Sequence, residues 1–218
     1  DLSAGNIITF NQNTHTTVSF ANTSEAMDIT LIRPGGERNV AISYATGAVE
    51  FNGSSEYLSL AQTTDLEPGT ADFTIEAWVK LAADSTGYDY VFSNGWPQQL
   101  AAEDATTFKA WFRETEGGAY VVSLVSATGS YAGNWNHVAV VRYGNTFTLY
   151  VNGVQAGQNT TNTFAGPSRA DPSANFTAGA FITSLFADAN ISQVHVYNRV
   201  LSASEVQQNY LATKGRYQ

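Results

Sequence analysis

The chain has 218 residues, enough to bury a substantial core, and one large β-sandwich suits this length better than two small domains. Its 19 acidic and 10 basic residues give a net charge of −9, which would repel a phosphate backbone, so neither nucleic acid nor an anionic membrane is expected as a partner. Zero cysteines exclude disulfides, zinc–thiolate sites and cysteine nucleophiles, and the apolar runs are far shorter than the ~20 residues of a membrane helix.

The residue usage indicates a β-rich protein with an uncharged polar surface. The chain contains 12 Phe, 11 Tyr and 4 Trp, while only 13% of its residues are charged. A surface of Thr, Ser, Asn and Gly suits an extracellular or particle-bound protein. The chain begins at Asp1 without an export segment, so we expect it to be processed or to be part of a longer protein.

Residues 1–47 contain four runs that alternate like strands, at 6–10, 16–20, 27–33 and 40–44, with a turn at Pro34-Gly35-Gly36. We predict that they form an accessory β segment that packs on or extends a main domain of residues 48–218. Because strand edges that are not covered invite pairing, this segment is expected to make assembly contacts and to favour a homo-oligomer.

The main domain begins with strands and a polar stretch. Phe73, Ile75, Ala77 and Val79 share one face of a predicted strand, and Trp78 lies on the other face. Residues 82–107, which include Tyr88, Trp96 and Asp104, are predicted to form a rim loop. Alternation resumes over 108–113, and residues 155–180 are predicted to be irregular.

The clearest element is a hairpin at residues 133–153. Strands at 135–142 and 147–151 are joined by the two-residue turn Gly144-Asn145, and Asn152-Gly153 forms a second turn. Trp135 at its start is predicted to lie in the core. Near the C-terminus, Ser202 and Glu205 form a capping box that predicts a short helix, with Leu201 packed on Val206 and a stop at Gly215.

Five stretches in order resemble the laminin G-like modules: 49–53, 73–80, Trp135-Asn136-His137-Val138-Ala139, Leu149-Tyr150-Val151-Asn152-Gly153 and 194–202. The resemblance covers residues 48 to about 212. It implies an all-β fold, the concanavalin A-like antiparallel β-sandwich (jelly roll) with a short C-terminal helix. The C-terminal stretches 200–210 and 213–217 also resemble laminin G-like modules of tailed-phage structural proteins.

We do not expect an enzyme. Glycoside hydrolases of the resembled fold carry E-x-D-x-x-E on one strand, and this motif is missing from the sequence. Glu114 and Glu116 are two residues apart but adjoin Gly117-Gly118, as at a solvated hairpin end. His137 and His195 lie inside strand patterns, and we interpret His137 as a core or interface histidine with a satisfied ring.

No cofactor is expected, and calcium is the one metal that the resemblance suggests. Glu103 and Asp104 fall where the acidic loop of a pentraxin-like calcium site would begin, which makes Asp104 the metal candidate. The second half of such a site is missing, since residues 176–185 contain no acid. Asp188 and Asn190 come too late to replace it.

Sugar recognition requires flat aromatic rings beside hydrogen-bonding groups. Trp111 alternates with Lys109 and Arg113, which places one aromatic ring and two cations on one face of a strand, although strand aromatics in sandwiches commonly serve packing. The predicted ligand-binding residues are Tyr88, Trp96, Asp104, Trp111 and Arg113.

The sequence favours a non-catalytic carbohydrate-binding or adhesion module on the surface of a virion, in a phage capsid or tail, or otherwise extracellular. Its expected partners are a glycan or cell-surface polysaccharide and other virion subunits. Two alternatives stay open: a structural or decoration protein without a glycan ligand, and a glycoside hydrolase with an atypical site.

Overall fold

A computed structural model describes residues 16–21, 26–32, 39–44, 48–61, 71–95, 98–114, 119–161, 164 and 175–217. The strands, in chain order, are β1 Thr16–Ala21, β2 Ala26–Ile32, β3 Asn39–Tyr44, β4 Val49–Asn52, β5 Leu58–Leu60, β6 Phe73–Leu81, β7 Asp89–Asn94, β8 Gln98–Asp104, β9 Thr107–Phe112, β10 Val122–Val125, β11 Trp135–Tyr143, β12 Thr146–Val151, β13 Val154–Thr160, β14 Phe176–Ala178, β15 Ala180–Phe181, β16 Ser184–Phe186 and β17 Asp188–Tyr197. The helix α1 (Ala203–Thr213) and a 3₁₀ turn, Lys214–Arg216, follow.

Two antiparallel sheets dominate the described chain. The nine-stranded sheet has the order β1-β2-β3-β17-β6-β11-β12-β13, with β4 also paired to β17, and the six-stranded sheet has the order β10-β9-β8-β7-β14-β5. The strands β15 and β16 pair only with each other, as a small two-stranded sheet. The two large sheets form a sandwich with one C-terminal helix, which confirms the predicted concanavalin A-like jelly roll.

The core between the two sheets is rich in phenylalanine. Its largest buried side chains are Phe51, Phe73, Phe92, Phe108, Phe112, Phe147 and Phe176, with Ile75, Leu81 and Leu100. Ring centroids lie 4.8 Å apart for Phe112 and Phe147, which join the two sheets, and 4.5 Å apart for Phe92 and Phe176. Because strand residues alternate between faces, the same strands present their remaining side chains on the outer faces of the sandwich.

The predicted hairpin is confirmed. Its strands, β11 and β12, pair from Val138↔Val151 to Tyr143↔Thr146, so Gly144 and Asn145 form the two-residue turn between them. Gly144 (φ 56°) and, in the second turn, Asn152 (φ 53°) adopt the left-handed conformation, which glycine and asparagine tolerate best.

The N-terminal strands extend the nine-stranded sheet. The predicted runs at 16–20, 27–33 and 40–44 correspond to β1, β2 and β3, and β3 pairs with β17 from Ile42↔Val194 to Asn39↔Tyr197. The run at 6–10 and the turn at Pro34 lie outside the described residues. The division into segments 1–47 and 48–218 stays a prediction.

The predicted rim loop at 82–107 is wrong for most of its length. The chain there forms the hairpin of β7 and β8, which are central strands of the six-stranded sheet. A β-bulge at Val91 interrupts the register between Tyr90 and Phe92, so the period-2 pattern that marks a strand is broken. Residues 155–180 also contain more strand than predicted, because β13 continues to Thr160 and β14 begins at Phe176.

The C-terminal helix α1 packs on the outer face of the nine-stranded sheet. The capping box of Ser202 and Glu205 is present, and Leu201 and Val206 share a small cluster with Ala139, Val141 and Tyr150, as the sequence predicts. The α-helix ends at Thr213 with Lys214 as its C-cap, so the predicted stop, Gly215, is the first residue beyond the cap and lies within the 3₁₀ turn. No helix among the described residues has the length and apolar character to cross a bilayer.

A buried carboxylate anchors this helix. Glu76 on β6 is 2% exposed; its side chain accepts hydrogen bonds from Asn209 of α1 (3.0 and 3.2 Å) and from the Tyr197 hydroxyl (2.7 Å). His195 Nδ1 lies 3.1 Å and His137 Nε2 3.5 Å from its oxygens. Burial by itself raises the pKa of Glu76, but hydrogen bonds and charge from the two histidines outweigh burial and hold the pKa below its ordinary value.

The histidine and tryptophan predictions are only partly confirmed. His137 is buried as predicted, but its Nδ1 has no hydrogen-bond partner among the described residues. Trp135 is only partly buried and packs against Tyr217, with ring centroids 4.8 Å apart, so the prediction that it lies in the core is wrong. The buried tryptophan is Trp78, which is 1% exposed, stacks on Tyr217 at 4.4 Å and donates to Thr213 Oγ1 at 2.9 Å.

We predict that Trp78→Ala lowers the free energy of unfolding by about 3–5 kcal/mol, because it removes a fully buried ring and a hydrogen bond. Trp135 contacts the same Tyr217, but it is only partly buried. Trp135→Ala should therefore lower the free energy of unfolding by no more than about 2 kcal/mol. Chemical denaturation of the two variants measures both values, and an equal loss would contradict the assignment of Trp78 as the buried tryptophan.

We predict that Glu76→Gln destabilises the chain by about 3 kcal/mol at neutral pH, because a buried ionised acceptor loses its charge. The pKa of Glu76 is lower in the folded than in the unfolded chain, so the ionised carboxylate stabilises the folded state. This stabilisation is fully present above the unfolded pKa, 4.5, and is lost as the pH falls below that value. Denaturation of wild type and variant between pH 7 and pH 3 should therefore show the difference shrinking below about pH 4.5. A difference that grows on acidification would contradict the role of the ionised carboxylate.

Candidate functional site

An aromatic cluster covers the outer face of the six-stranded sheet. Tyr90 of β7, Trp111 of β9 and Phe181 of β15 pack over Ala101 of β8, and all four side chains are at least nine-tenths buried. The bulge at Val91 directs Tyr90 outward while Phe92 faces the core. Ala101, the smallest of these residues, stands between the strands of Tyr90 and Trp111 and leaves room for both large rings to lean over it.

Two tyrosines stand exposed beside Trp111. The Tyr88 ring lies 5.4 Å from Trp111 at 74°, and the Tyr120 ring lies 6.0 Å from it at 34°. Tyr88 approaches from the β7 side and Tyr120 from the β10 side of the sheet. They are 41% and 43% exposed, against 7% for Trp111, so the tyrosines present the accessible rings and Trp111 supports them.

Charged side chains border these rings. Lys109, on the same face of β9 as Trp111, forms an ion pair with Glu103 of β8, and the Tyr88 hydroxyl donates to Glu103 Oε1 at 3.3 Å. At the other end, the Arg113 guanidinium carbon lies 3.8 Å from the centre of the Tyr120 ring, a cation–π contact. The Tyr88 ring therefore has a hydrogen-bond acceptor, Glu103, beside it, and the Tyr120 ring has a donor, Arg113.

The hydroxyls of Tyr88 and Tyr90 are protonated at physiological pH, since even an ordinary tyrosine has a pKa of about 10. Desolvation raises the pKa of Tyr90 to about 12, and the neighbouring Tyr120 and Tyr88 add to the rise. Desolvation also raises the pKa of Tyr88; Lys109 opposes this rise and the Glu103 carboxylate reinforces it. Both hydroxyls are therefore neutral at physiological pH and can donate hydrogen bonds as well as accept them.

Three of the five predicted ligand-binding residues come together at this face: Tyr88, Trp111 and Arg113. Asp104 lies in the turn between β8 and β9, where its Oδ1 accepts from Thr106 N (2.7 Å) and Thr106 Oγ1 (2.8 Å). These hydrogen bonds lower the pKa of Asp104. Trp96 lies outside the described residues.

Sequence reasoning missed Tyr90, Phe181, Glu103 and Tyr120 as members of this face. Glu103 and Tyr90 fall in the predicted rim loop, where the direction of a side chain cannot be predicted, and Tyr120 follows Gly117-Gly118 in the sequence. The alternation Lys109, Trp111, Arg113 marks this face in the sequence, but it does not identify the residues that other strands and loops contribute.

The structure places no evident metal centre near these residues. Within the described ranges, no three side chains of His, Cys, Asp or Glu gather closely enough to hold an ion. Calcium at Asp104, and the absence of any cofactor, stay predictions.

The fold and the site can be compared with known proteins. The family described as the concanavalin A-like lectin/glucanases superfamily matches residues 52–207. Among curated proteins, no sequence matches the chain.

Solved structures with the same fold include three binding proteins. The sialidase module CBM40 of Ruminococcus gnavus, bound to α2,3-sialyllactose, has a TM-score of 0.64 and 16% identity, and the match covers 75% of this chain and 96% of that one. The binding domain of Paraclostridial Mosquitocidal Protein 1 (TM-score 0.62, 14% identity) is matched over 91% of this chain but 52% of that chain. Botulinum neurotoxin type C, whose cell entry depends on two ganglioside molecules, has a TM-score of 0.58 and 11% identity, with 91% and 51% covered. This chain thus spans about half the length of the two toxin chains.

Proposed function

Since the chain belongs to the concanavalin A-like lectin/glucanases superfamily, we propose that it is a non-catalytic carbohydrate-binding module whose ligand rests on the outer face of the six-stranded sheet. One observation carries the proposal: the two exposed tyrosines, Tyr88 and Tyr120, are held on either side of Trp111 by a buried aromatic cluster. Rigid aromatic rings of this kind offer a stacking surface at a low cost in side-chain entropy.

The polar groups around the rings match the chemistry of a sugar. A pyranose has apolar C–H faces and a rim of hydroxyls, each of which donates and accepts hydrogen bonds. The rings of Tyr88 and Tyr120 can take the faces, while Glu103 can accept from hydroxyls and Lys109 can donate to them. Arg113, stacked on Tyr120, adds positive charge at one end, which favours a sugar that carries a carboxylate.

The structural neighbours support this choice of ligand. The CBM40 module is bound to α2,3-sialyllactose, and the cell entry of the neurotoxin depends on two ganglioside molecules. At identities of 16% and 11% these likenesses establish the fold, and the ligand is our proposal. Sialylated oligosaccharides are therefore the first ligands to test.

Geometry favours binding over hydrolysis. Glycosidases need two carboxylates on either side of the scissile bond, about 5–10 Å apart. On this face the groups beside Glu103 are the Lys109 ammonium and the Tyr88 hydroxyl instead of a second carboxylate, and Asp104 is turned into its own loop. Glu76 has two histidine neighbours but lies beneath α1 at 2% exposure, where a polysaccharide cannot reach it.

We place the module on the surface of a virion or in the extracellular space, as the resemblance to tailed-phage modules implies. The strands β1, β2 and β3 support an assembly role, because they lengthen one edge of the nine-stranded sheet beyond the residues that match the family. The alternative is a decoration protein without a glycan ligand, which would associate through the edge formed by β1–β3 and would not use the face of Tyr88 and Tyr120.

We expect the double variant Tyr88→Ala/Tyr120→Ala to lose at least tenfold in affinity for the glycan that the wild type binds, because each ring removed is worth roughly 1 kcal/mol. Binding to α2,3-sialyllactose and to lactose, measured by isothermal titration calorimetry after a glycan array, tests this. Tyr143→Ala is the matched control, since that tyrosine is 70% exposed in the β11–β12 hairpin. Unchanged binding by the double variant would refute the site, and a failure of the wild type to bind any glycan would refute the function.

We expect a chain without residues 1–47 to stay folded but to lose self-association, because the deletion removes β1–β3. Light scattering should report a smaller species, and circular dichroism should retain the β signal. If the truncated chain unfolds, the pairing of β3 with β17 is essential to the sandwich. Association equal to that of the full chain would also refute the assembly role.

A further inference from the structure

A second polar and aromatic surface lies on the opposite side of the sandwich, on the outer face of the nine-stranded sheet. Register places four side chains in one row across neighbouring strands, because Glu50 of β4 is opposite Asn190 of β17, Asn190 is opposite Lys80 of β6, and Lys80 is opposite Trp135 of β11. At the usual spacing of strands the row is about 14 Å long, which is the length of a short oligosaccharide. We call these four residues the polar row.

The polar groups of the row are available. Glu50 is exposed, and Lys80 and Asn190 are partly exposed. With respect to the described residues, these three side chains make no hydrogen bond or ion pair. Glu76, four residues before Lys80 on the same face of β6, is by contrast fully engaged beneath α1.

Aromatic rings form a wall at one end of the row. The C-terminal Tyr217 lies over the next row of the same face: its ring stacks on Trp78 at 4.4 Å, and its hydroxyl is 2.8 Å from Ser192 Oγ. Tyr217 also contacts Trp135 at 4.8 Å, and both rings stay partly exposed. Tyr217 therefore stands above the surface of the sheet and borders the polar row at its Trp135 end.

The charge of the row points to one class of ligand. It carries one carboxylate, one amide and one ammonium group, so it combines donors and acceptors without net charge. Such a set matches hydroxyl groups, which donate and accept equally, better than it matches an anion or a charged protein surface. The aromatic end suits the apolar face of a sugar ring.

We propose that the polar row, with Tyr217 as its wall, is a second carbohydrate-binding site that takes neutral oligosaccharides, so that the module binds glycans on both outer faces of the sandwich. The proposal shares the ligand class of the proposed function but uses none of the same residues. The face of Tyr88 and Tyr120 can therefore fail without affecting it.

The test is a titration of the full chain, labelled with ¹⁵N, with three neutral probes: lactose, cellotriose and N,N′-diacetylchitobiose. We expect at least one probe to shift the Trp135 indole N–H, the Asn190 side-chain amide and the backbone amide of Lys80. Asn190→Ala and Lys80→Met should each weaken that binding about fivefold, the value of one lost hydrogen bond. Gln155→Ala, an exposed residue of β13 in the same sheet, is the control and should change nothing.

The outcomes separate the two sites. Shifts at the polar row that persist in Tyr88→Ala/Tyr120→Ala support a second site. Shifts confined to the face of Tyr88 and Tyr120 overturn the second site and leave the proposed function intact. If none of the three probes moves the polar row, or if Asn190→Ala and Lys80→Met bind as the wild type does, the second site is refuted.

Discussion

The packing of phenylalanine side chains between the two sheets determines what the rest of the molecule can do. Phe112 of one sheet and Phe147 of the other meet at 4.8 Å, and Phe73 lies 5.6 Å from Phe112, so the sheets are joined by large rings that leave little freedom to slide. In the described part of the sandwich, from β4 onward, the inward side chains form this core. Recognition chemistry must therefore use the outward positions, whose directions the core has set.

The two outer faces use these positions differently. On the six-stranded sheet, Tyr90, Trp111 and Phe181 form a shallow second layer that holds two tyrosines out to solvent. On the nine-stranded sheet, the middle of the face is closed by α1 and Tyr217, which rest on the Glu76 carboxylate and Trp78. Beside that cover, Glu50 of the polar row is exposed, and Lys80, Asn190 and Trp135 are partly exposed. Both proposed sugar sites thus lie where aromatic rings border an open stretch of sheet.

Two β-bulges place side chains that regular alternation would send elsewhere. Val91 is the extra residue of β7, and as a result Tyr90 and Ser93, three apart, lie on the same outer face. In β17 the register shifts between Ser192 and His195, and Gln193 adopts a left-handed φ of 52°. This shift lets Ser192 reach Tyr217 while His195 reaches Glu76. Both outer faces therefore depend on local irregularities in the ladders.

The sequence by itself determined the β11–β12 hairpin and the helix cap, because each depends on local signals: alternation, residues that tolerate positive φ, and the Ser202–Glu205 box. The fold class followed from the resemblance of five ordered stretches to laminin G-like modules. It also predicted that Lys109, Trp111 and Arg113 share a face, since that follows from a period of two. Only the tertiary structure decided which residues join them. Tyr120, Tyr90 and Glu103 come from other strands and from stretches without regular alternation, and the bulge at Val91 cannot be read from one strand alone. For the same reason Trp78 and not Trp135 proved to be buried: both alternate outward, and the difference lies in how the C-terminal segment covers the sheet.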